Sequence, residues 1–419
     1  MKTNAVRIYG KNDLRLESFE LPEIREDEIL AKVVSDSICM STYKAAMQGA
    51  EHKRVPADVA SNPAIIGHEF CGEILEVGKA WKDKFFPGER FSIQPAHNKN
   101  GSQSAPGYSY PYCGGDATFV IIPPEIMEMD CLLKFESDAF FLGSLAEPMS
   151  CVAGAFHAMY HTRQGSYVHG MGIKKGGKTA ILAGAGPMGL GAIDYALHNP
   201  AANPSLLVVT DVDGERLSRA EKIFPPGKEK NVKLIYMNTK GINAAESLRA
   251  LTRGSGFDDV FIMAPVREVV EQGDAILAKD GCLNFFAGPS DTDFKAEMNF
   301  YNVHYLYTHV VGTSGGNNDD LRESLELIGK GILNPAGMVT HIGGLDCVVE
   351  TTLNLPKIPG GKKLIYTGVS LELTAIEDFE EKGKKDPLFR GLSEIVKSAG
   401  NVWSPEAERY LLKNAKKIV

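Results

Sequence analysis

Apolar positions fall along this chain in three textures. Through residue 149, short apolar runs alternate with polar residues and are cut by Gly and Pro. The runs at 29–34, 69–77 and 117–122 predict strands of an irregular β-rich domain. From 150 to 316 the texture changes. Near-continuous apolar runs at 179–183, 206–210, 233–236, 259–263, 282–286 and 309–311 read as strands. Most are separated by helix-period stretches, as at 187–197, 243–251 and 267–278. That alternation predicts an α/β domain built on a doubly wound parallel sheet. The third region, 317–419, opens with a helix at 319–328 stopped by Gly329. Segments 348–354 and 363–367 are placed to return to the first domain. Beyond 368 lies a polar, helix-prone extension in which Ser404, Pro405 and Glu406 mark a helix start.

Composition narrows the function classes. The 419 residues are 43% hydrophobic and 23% charged, as in a globular protein. The formal net charge of -8 argues against a nucleic-acid binder held by phosphate contacts. Seven widely spaced cysteines do not suggest a secreted disulfide framework. The N-terminus lacks a signal-peptide core, and no run of about 18 apolar residues predicts a membrane span. A cytoplasmic location with no membrane partner is the expectation.

Residues 184–189 read G-A-G-P-M-G between an apolar strand and a helix. Gly184 would allow a tight turn, Gly186 the close approach of a pyrophosphate and Gly189 close helix–strand packing. The helix start at Pro187 and Met188 would present free N–H groups to phosphate. Asp211 ends the next strand, where an acid accepts from ribose hydroxyls and repels a 2′-phosphate, so NAD is expected over NADP. Capping a turn is the plainer role for Asp211. Arg216 either stacks on adenine, neutralises a 2′-phosphate or is a solvated charge on a helix face.

A second set of residues has the chemistry of a metal site. Cys39 follows an apolar strand, His68 and Glu69 sit in G-H-E, and Glu147 lies at the first domain boundary. A thiolate, an imidazole and carboxylates make a zinc set. His68 and Glu69 are neighbours, which a regular strand would point to opposite faces, so both can bind only if Gly67 bends the chain. Taken singly, each has a plainer reading: a buried thiol, a core histidine, a helix-start acid.

In the blocks C-M-S-T-Y-K at 39–44, G-H-E-F-C-G-E-I-L-E-V-G at 67–78, F-F-P-G-E-R at 85–90, E-P-M-S at 147–150 and G-A-G-P-M-G with Asp211, the chain resembles the zinc-containing medium-chain dehydrogenases. The resemblance covers roughly residues 1–368. It implies a GroES-like catalytic domain and a Rossmann domain. It also implies one catalytic zinc at Cys39, His68, Glu69 and Glu147, and a homodimer or homotetramer. Glu at 147 in place of Cys is similar to the sorbitol and sugar-phosphate branch. The blocks M-V-T-H-I-G-G-L-D and T-T-L-N-L-P-K-I-P-G-G-K-K-L-I-Y are similar to L-sorbose-1-phosphate reductases.

The chain departs from the family in three places. The stretch 94–112 has no Cys, so no structural zinc is expected. Thr42 replaces the usual acidic residue and Lys44 a frequent relay histidine. The extension beyond 368 is additional. The resemblance implies zinc-assisted hydride transfer between nicotinamide and a polyol, ketose or sugar phosphate, such as L-sorbose 1-phosphate and D-glucitol 6-phosphate. Ser41 is the candidate to pass the hydroxyl proton outward, with Lys44 and Glu69 beside it; a local backbone hydrogen bond is the alternative for Ser41. Lys44, Lys53, Arg54 and Lys99 are candidate cations for a substrate phosphate. Competing readings are a dehydrogenase of unphosphorylated polyols or secondary alcohols, a zinc-free quinone reductase, and a nucleotide-binding protein without catalysis.

Overall fold

The computed structural model describes residues 1–163 and 165–418. The chain forms two units. The first holds residues 1–147, 324–331 and 335–419, and the second holds 148–323 and 332–334.

The first unit is built on an eight-stranded sheet. Its long central strand Ile29–Ile38 pairs antiparallel with Cys71–Val77 on one edge. Its other edge is shared. Phe119–Ile122 takes residues 29–32, and Lys362–Tyr366 takes residues 35–38. Val339–Gly344 and Thr374–Ala375 extend the sheet beyond Lys362–Tyr366, while Arg90–Ile93 and Leu132–Lys134 extend the opposite side. A smaller three-stranded sheet is made by Asp13–Glu20, Lys2–Gly10 and Ala64–Ile65. Ile29, Ala31 and Val33 of the central strand lie in one core with Phe70, Ile74, Phe91 and Val120. The run expected at 69–77 starts as a strand only at Cys71. Gly67 lies at φ 87, and the backbone turns there. An added Cβ at Gly67 would stand 2.2 Å from Asp36 Oδ2, so only glycine fits.

The extension past 368 folds as three helices, Phe379–Gly383, Pro387–Ser398 and Pro405–Asn414. Ser404 caps the last by accepting from the Ala407 N–H. Their apolar faces enter one core with Phe141, Leu145, Leu364 and Tyr366. At its centre Glu408 accepts from the Phe140 N–H (2.6 Å), the Phe141 N–H (2.8 Å) and the Tyr366 hydroxyl (2.9 Å). Trp403 Nε1 donates to the same tyrosine oxygen at 2.7 Å. A carboxylate from the extension thereby caps the helix Phe140–Ser144, just ahead of Glu147.

The second unit is a six-stranded, all-parallel sheet. Its spatial order is Lys233–Asn238, Leu206–Asp211, Lys178–Leu182, Phe257–Ile262, Leu277–Phe285, His309–Gly312. The chain order reverses at Lys178–Leu182, as in a doubly wound fold. All six expected strands form. The helix expected over 267–278 ends at Ile276, because Leu277 already pairs with Phe257 in the sheet. Among the described residues no helix is long and apolar enough to cross a membrane.

Candidate functional site

Cys39 caps the helix Met40–Gln48 directly after the central strand, at φ -111 and ψ 151. The bend at Gly67 brings His68 and Glu69 to it. One ligand atom from each of Cys39, His68 and Glu69 lies within 4.8 Å of the others. Among the described residues this is the one group of three such donors. Sulfur, imidazole nitrogen and carboxylate oxygen make a donor set that suits zinc.

The surroundings of His68 assign its nitrogens. Thr42 Oγ1 lies 3.2 Å from Nδ1, while Ser41 Oγ (3.3 Å) and the Tyr108 hydroxyl (3.4 Å) lie near Nε2. Holding Nδ1 directs Nε2 toward the other donors. Ser41 also donates to Cys39 Sγ at 3.1 Å, so its hydroxyl touches two of the three candidate ligands. Burial lowers the His68 pKa, with Glu147 and Glu69 pulling the other way. The neutral ring is the form that binds a metal.

Glu69 has a partner that sequence reasoning missed. Lys362, at the start of its strand, binds both carboxylate oxygens, at 2.6 Å to Oε2, and Ser37 donates to Oε2. Glu69 and Lys362 are 2% and 5% exposed, so the pair is buried. Burial pushes the Glu69 carboxyl up, but the ammonium beside it more than offsets this and holds it below the usual range. Glu147 stands outside the group of three. It is buried, and its carboxyl is pushed up to about 7 by burial and then by the charge of Glu69.

The four candidate phosphate cations separate. Lys99 is paired with Glu128. Arg54 holds its guanidinium carbon 5.7 Å from the Tyr108 ring centre, and that ring stands 5.0 Å from the His68 ring. His52 stacks on Tyr108, with 5.6 Å between ring centres. Its pKa is pulled down to about 4 by burial and then by the charges of Arg54, Lys53, His68 and Lys44. Lys44 therefore acts as a nearby charge and lies outside the group of three donors.

In the second unit the glycine-rich turn joins Lys178–Leu182 to the helix Pro187–His198. The left-handed residue of the turn is Ala183, at φ 51, and not Gly184. Gly184 and Gly189 are required by contact. An added Cβ would stand 2.5 Å from Ile181 Cγ2 at the first and 2.0 Å from the Gly184 carbonyl at the second. At Gly186 a Cβ would meet nothing within 4 Å, which leaves open space at the helix start preceding Pro187 and Met188. Asp211 is buried and accepts from the Ala185 N–H (3.2 Å) and the Asp213 N–H (3.1 Å), so it ties the turn to the next strand end. Arg216 is half-exposed and paired with Asp213 at 3.4 Å.

Two family models match the chain. Residues 25–130 match the alcohol dehydrogenase GroES-like domain, and residues 187–330 match zinc-binding dehydrogenase. Relatives match end to end. L-sorbose 1-phosphate reductase of Klebsiella pneumoniae is 52% identical over 99% of this chain and 98% of its own. The chain belongs to the zinc-binding, alcohol-dehydrogenase-like family. Another member, mannitol-1-phosphate 5-dehydrogenase of Aliivibrio fischeri, is 50% identical over 98% of this chain and 97% of its own. Among solved structures, 2R,3R-butanediol dehydrogenase of Bacillus subtilis shares the fold, with a TM-score of 0.69. It is 22% identical, over 87% of this chain and 99% of its own. As a family member the chain is an alcohol-dehydrogenase-like oxidoreductase with a GroES-like domain and a parallel-sheet domain.

Proposed function

We propose that the chain transfers a hydride between a nicotinamide dinucleotide and a polyol or ketose that carries a phosphate, with zinc held by Cys39, His68, Glu69 and Glu147. The observation that carries this reading is the convergence of Cys39, His68 and Glu69 within 4.8 Å, with Ser41 against two of them. The end-to-end relatives that act on L-sorbose 1-phosphate and mannitol 1-phosphate support the substrate class.

Zinc bound there supplies Lewis acidity to the substrate oxygen. The remaining work falls to the protein. Thr42 orients the His68 ring. Lys362 keeps Glu69 ionised in a buried place. Ser41 Oγ is the hydroxyl placed to take the substrate proton and pass it outward. In the second unit, the helix start after Gly186 receives the pyrophosphate. Asp211, whose two oxygens already accept from the backbone, keeps lone pairs for the ribose hydroxyls and disfavours a 2′-phosphate. NAD is accordingly the expected cofactor.

The test is a screen of polyols, ketoses and their phosphates on zinc-loaded protein, with NAD and NADP in parallel. A strong chelator should abolish turnover, and added zinc should restore it. Full activity after verified metal removal would sink the zinc reading.

A further inference from the structure

Arg54 carries a charge that the protein leaves uncompensated. Its backbone is pinned on both sides: the N–H donates to His52 Nδ1 at 3.3 Å and the carbonyl accepts from Ser109 Oγ at 2.6 Å. The side chain is half-buried and lies over the Tyr108 ring. The hydroxyl of that same tyrosine reaches 3.4 Å from His68 Nε2. Among the described residues no carboxylate pairs with Arg54 or with the adjoining exposed Lys53, although acids outnumber bases in this chain. Other basic side chains of the unit do find acids, as Lys99 finds Glu128 and Lys134 finds Glu89.

A partly desolvated guanidinium without a counter-ion is costly unless a ligand supplies the charge. We propose that Arg54, with Lys53 beside it, binds the terminal phosphate monoester of the substrate, while Tyr108 spans from this anchor to the His68 end where the reacting carbon sits. This rests on the hydride-transfer reading above. Arginine suits the task because its planar fork meets two phosphate oxygens at once. The separations, 5.0 Å from the His68 ring to the Tyr108 ring and 5.7 Å from there to the guanidinium, fall within the span of a six-carbon polyol phosphate. Arg54, Lys53 and Lys44 all lie near enough to His52 for their charges to add to burial in keeping its ring neutral, so the cations gather on this side of Tyr108.

The experiment compares kcat/KM for glucitol and mannitol with that for their terminal phosphates, in the wild type, Arg54→Gln and Arg54→Lys. The wild type should prefer the phosphates. Arg54→Gln should lower the phosphate-to-polyol ratio about 10- to 100-fold, chiefly through KM, and Arg54→Lys should keep part of it. A ratio unchanged within about threefold, or a loss that appears in the cofactor KM, would overturn the assignment. Equal turnover of glucitol and its phosphate by the wild type would end the phosphate assignment and leave hydride transfer standing. If no polyol is turned over, hydride transfer fails, and calorimetric binding of inorganic phosphate decides the anchor. Binding about tenfold weaker in Arg54→Gln supports it, and equal binding refutes it.

Discussion

Replacing Lys362 with Met separates the charge balance of the site from its packing. Methionine keeps most of the lysine stem but removes the ammonium that binds both oxygens of Glu69. With the pair 5% and 2% exposed, water cannot take over that role. Breaking a buried pair on one side costs about 3–5 kcal/mol. Lys362 also favours the ionised forms of Cys39 and Glu147, both pushed up mainly by burial, so its loss removes that support as well. Zinc next to Glu69 would return the missing positive charge. The variant should therefore lose about 3–5 kcal/mol of stability without metal and less than half of that with zinc. By linkage, a gap of even about 2 kcal/mol corresponds to zinc binding about 30-fold tighter. Urea unfolding followed by tryptophan fluorescence reads the right unit, because Trp81 and Trp403 both belong to the first one. A loss below about 1 kcal/mol, or an equal loss in metal-free and zinc-loaded protein, would refute the reasoning.

Three other outcomes follow from the same structure. Glu408→Ala leaves two backbone N–H groups and the Tyr366 hydroxyl without their acceptor, so urea unfolding should show a loss of about 3 kcal/mol or more. Gly67→Ala forces a Cβ to 2.2 Å from Asp36 Oδ2 at a positive φ; about 2–4 kcal/mol of stability should go, and zinc content should fall with it. His157 is raised above its ordinary pKa by its hydrogen bond to Asp320, against the effect of burial. Its protonated form is thus favoured by folding. The stabilisation is complete below the ordinary histidine value of about 6.5 and is lost as pH rises through the higher folded value. The midpoint of unfolding should fall over that window, and His157→Gln should flatten the slope.

Much of the second unit could be read from pattern, because strands buried on both faces carry unbroken apolar runs, such as L-L-V-V at the start of Leu206–Asp211. Boundaries were less legible. Leu277 belongs to a helix by period but to the sheet by its pairing with Phe257. The bend at Gly67 was visible as a requirement, since His68 and Glu69 could not otherwise meet Cys39. Lys362 was not visible: its contact with Glu69 spans 293 positions, and nothing local distinguishes it from Lys363. Tyr108 was likewise hidden in a loop without periodicity, although its ring links His68 to Arg54. Four cations were equal candidates for a phosphate until packing paired Lys99 with Glu128 and left Arg54 over an aromatic ring. For Asp211 the modest capping role is present in the structure, and it coexists with the proposed one.

The late position of Lys362–Tyr366 sets an order of events during translation. Residues 148–323, nearly all of the second unit, emerge from the ribosome well before this strand does. Until it arrives, the edge of residues 35–38, immediately before Cys39, has no neighbour, and Glu69 lacks its cation. A nascent chain stalled or cleaved before residue 362 would pair a finished nucleotide-type fold with an open, sticky sheet. Such products are natural clients for chaperones and proteases.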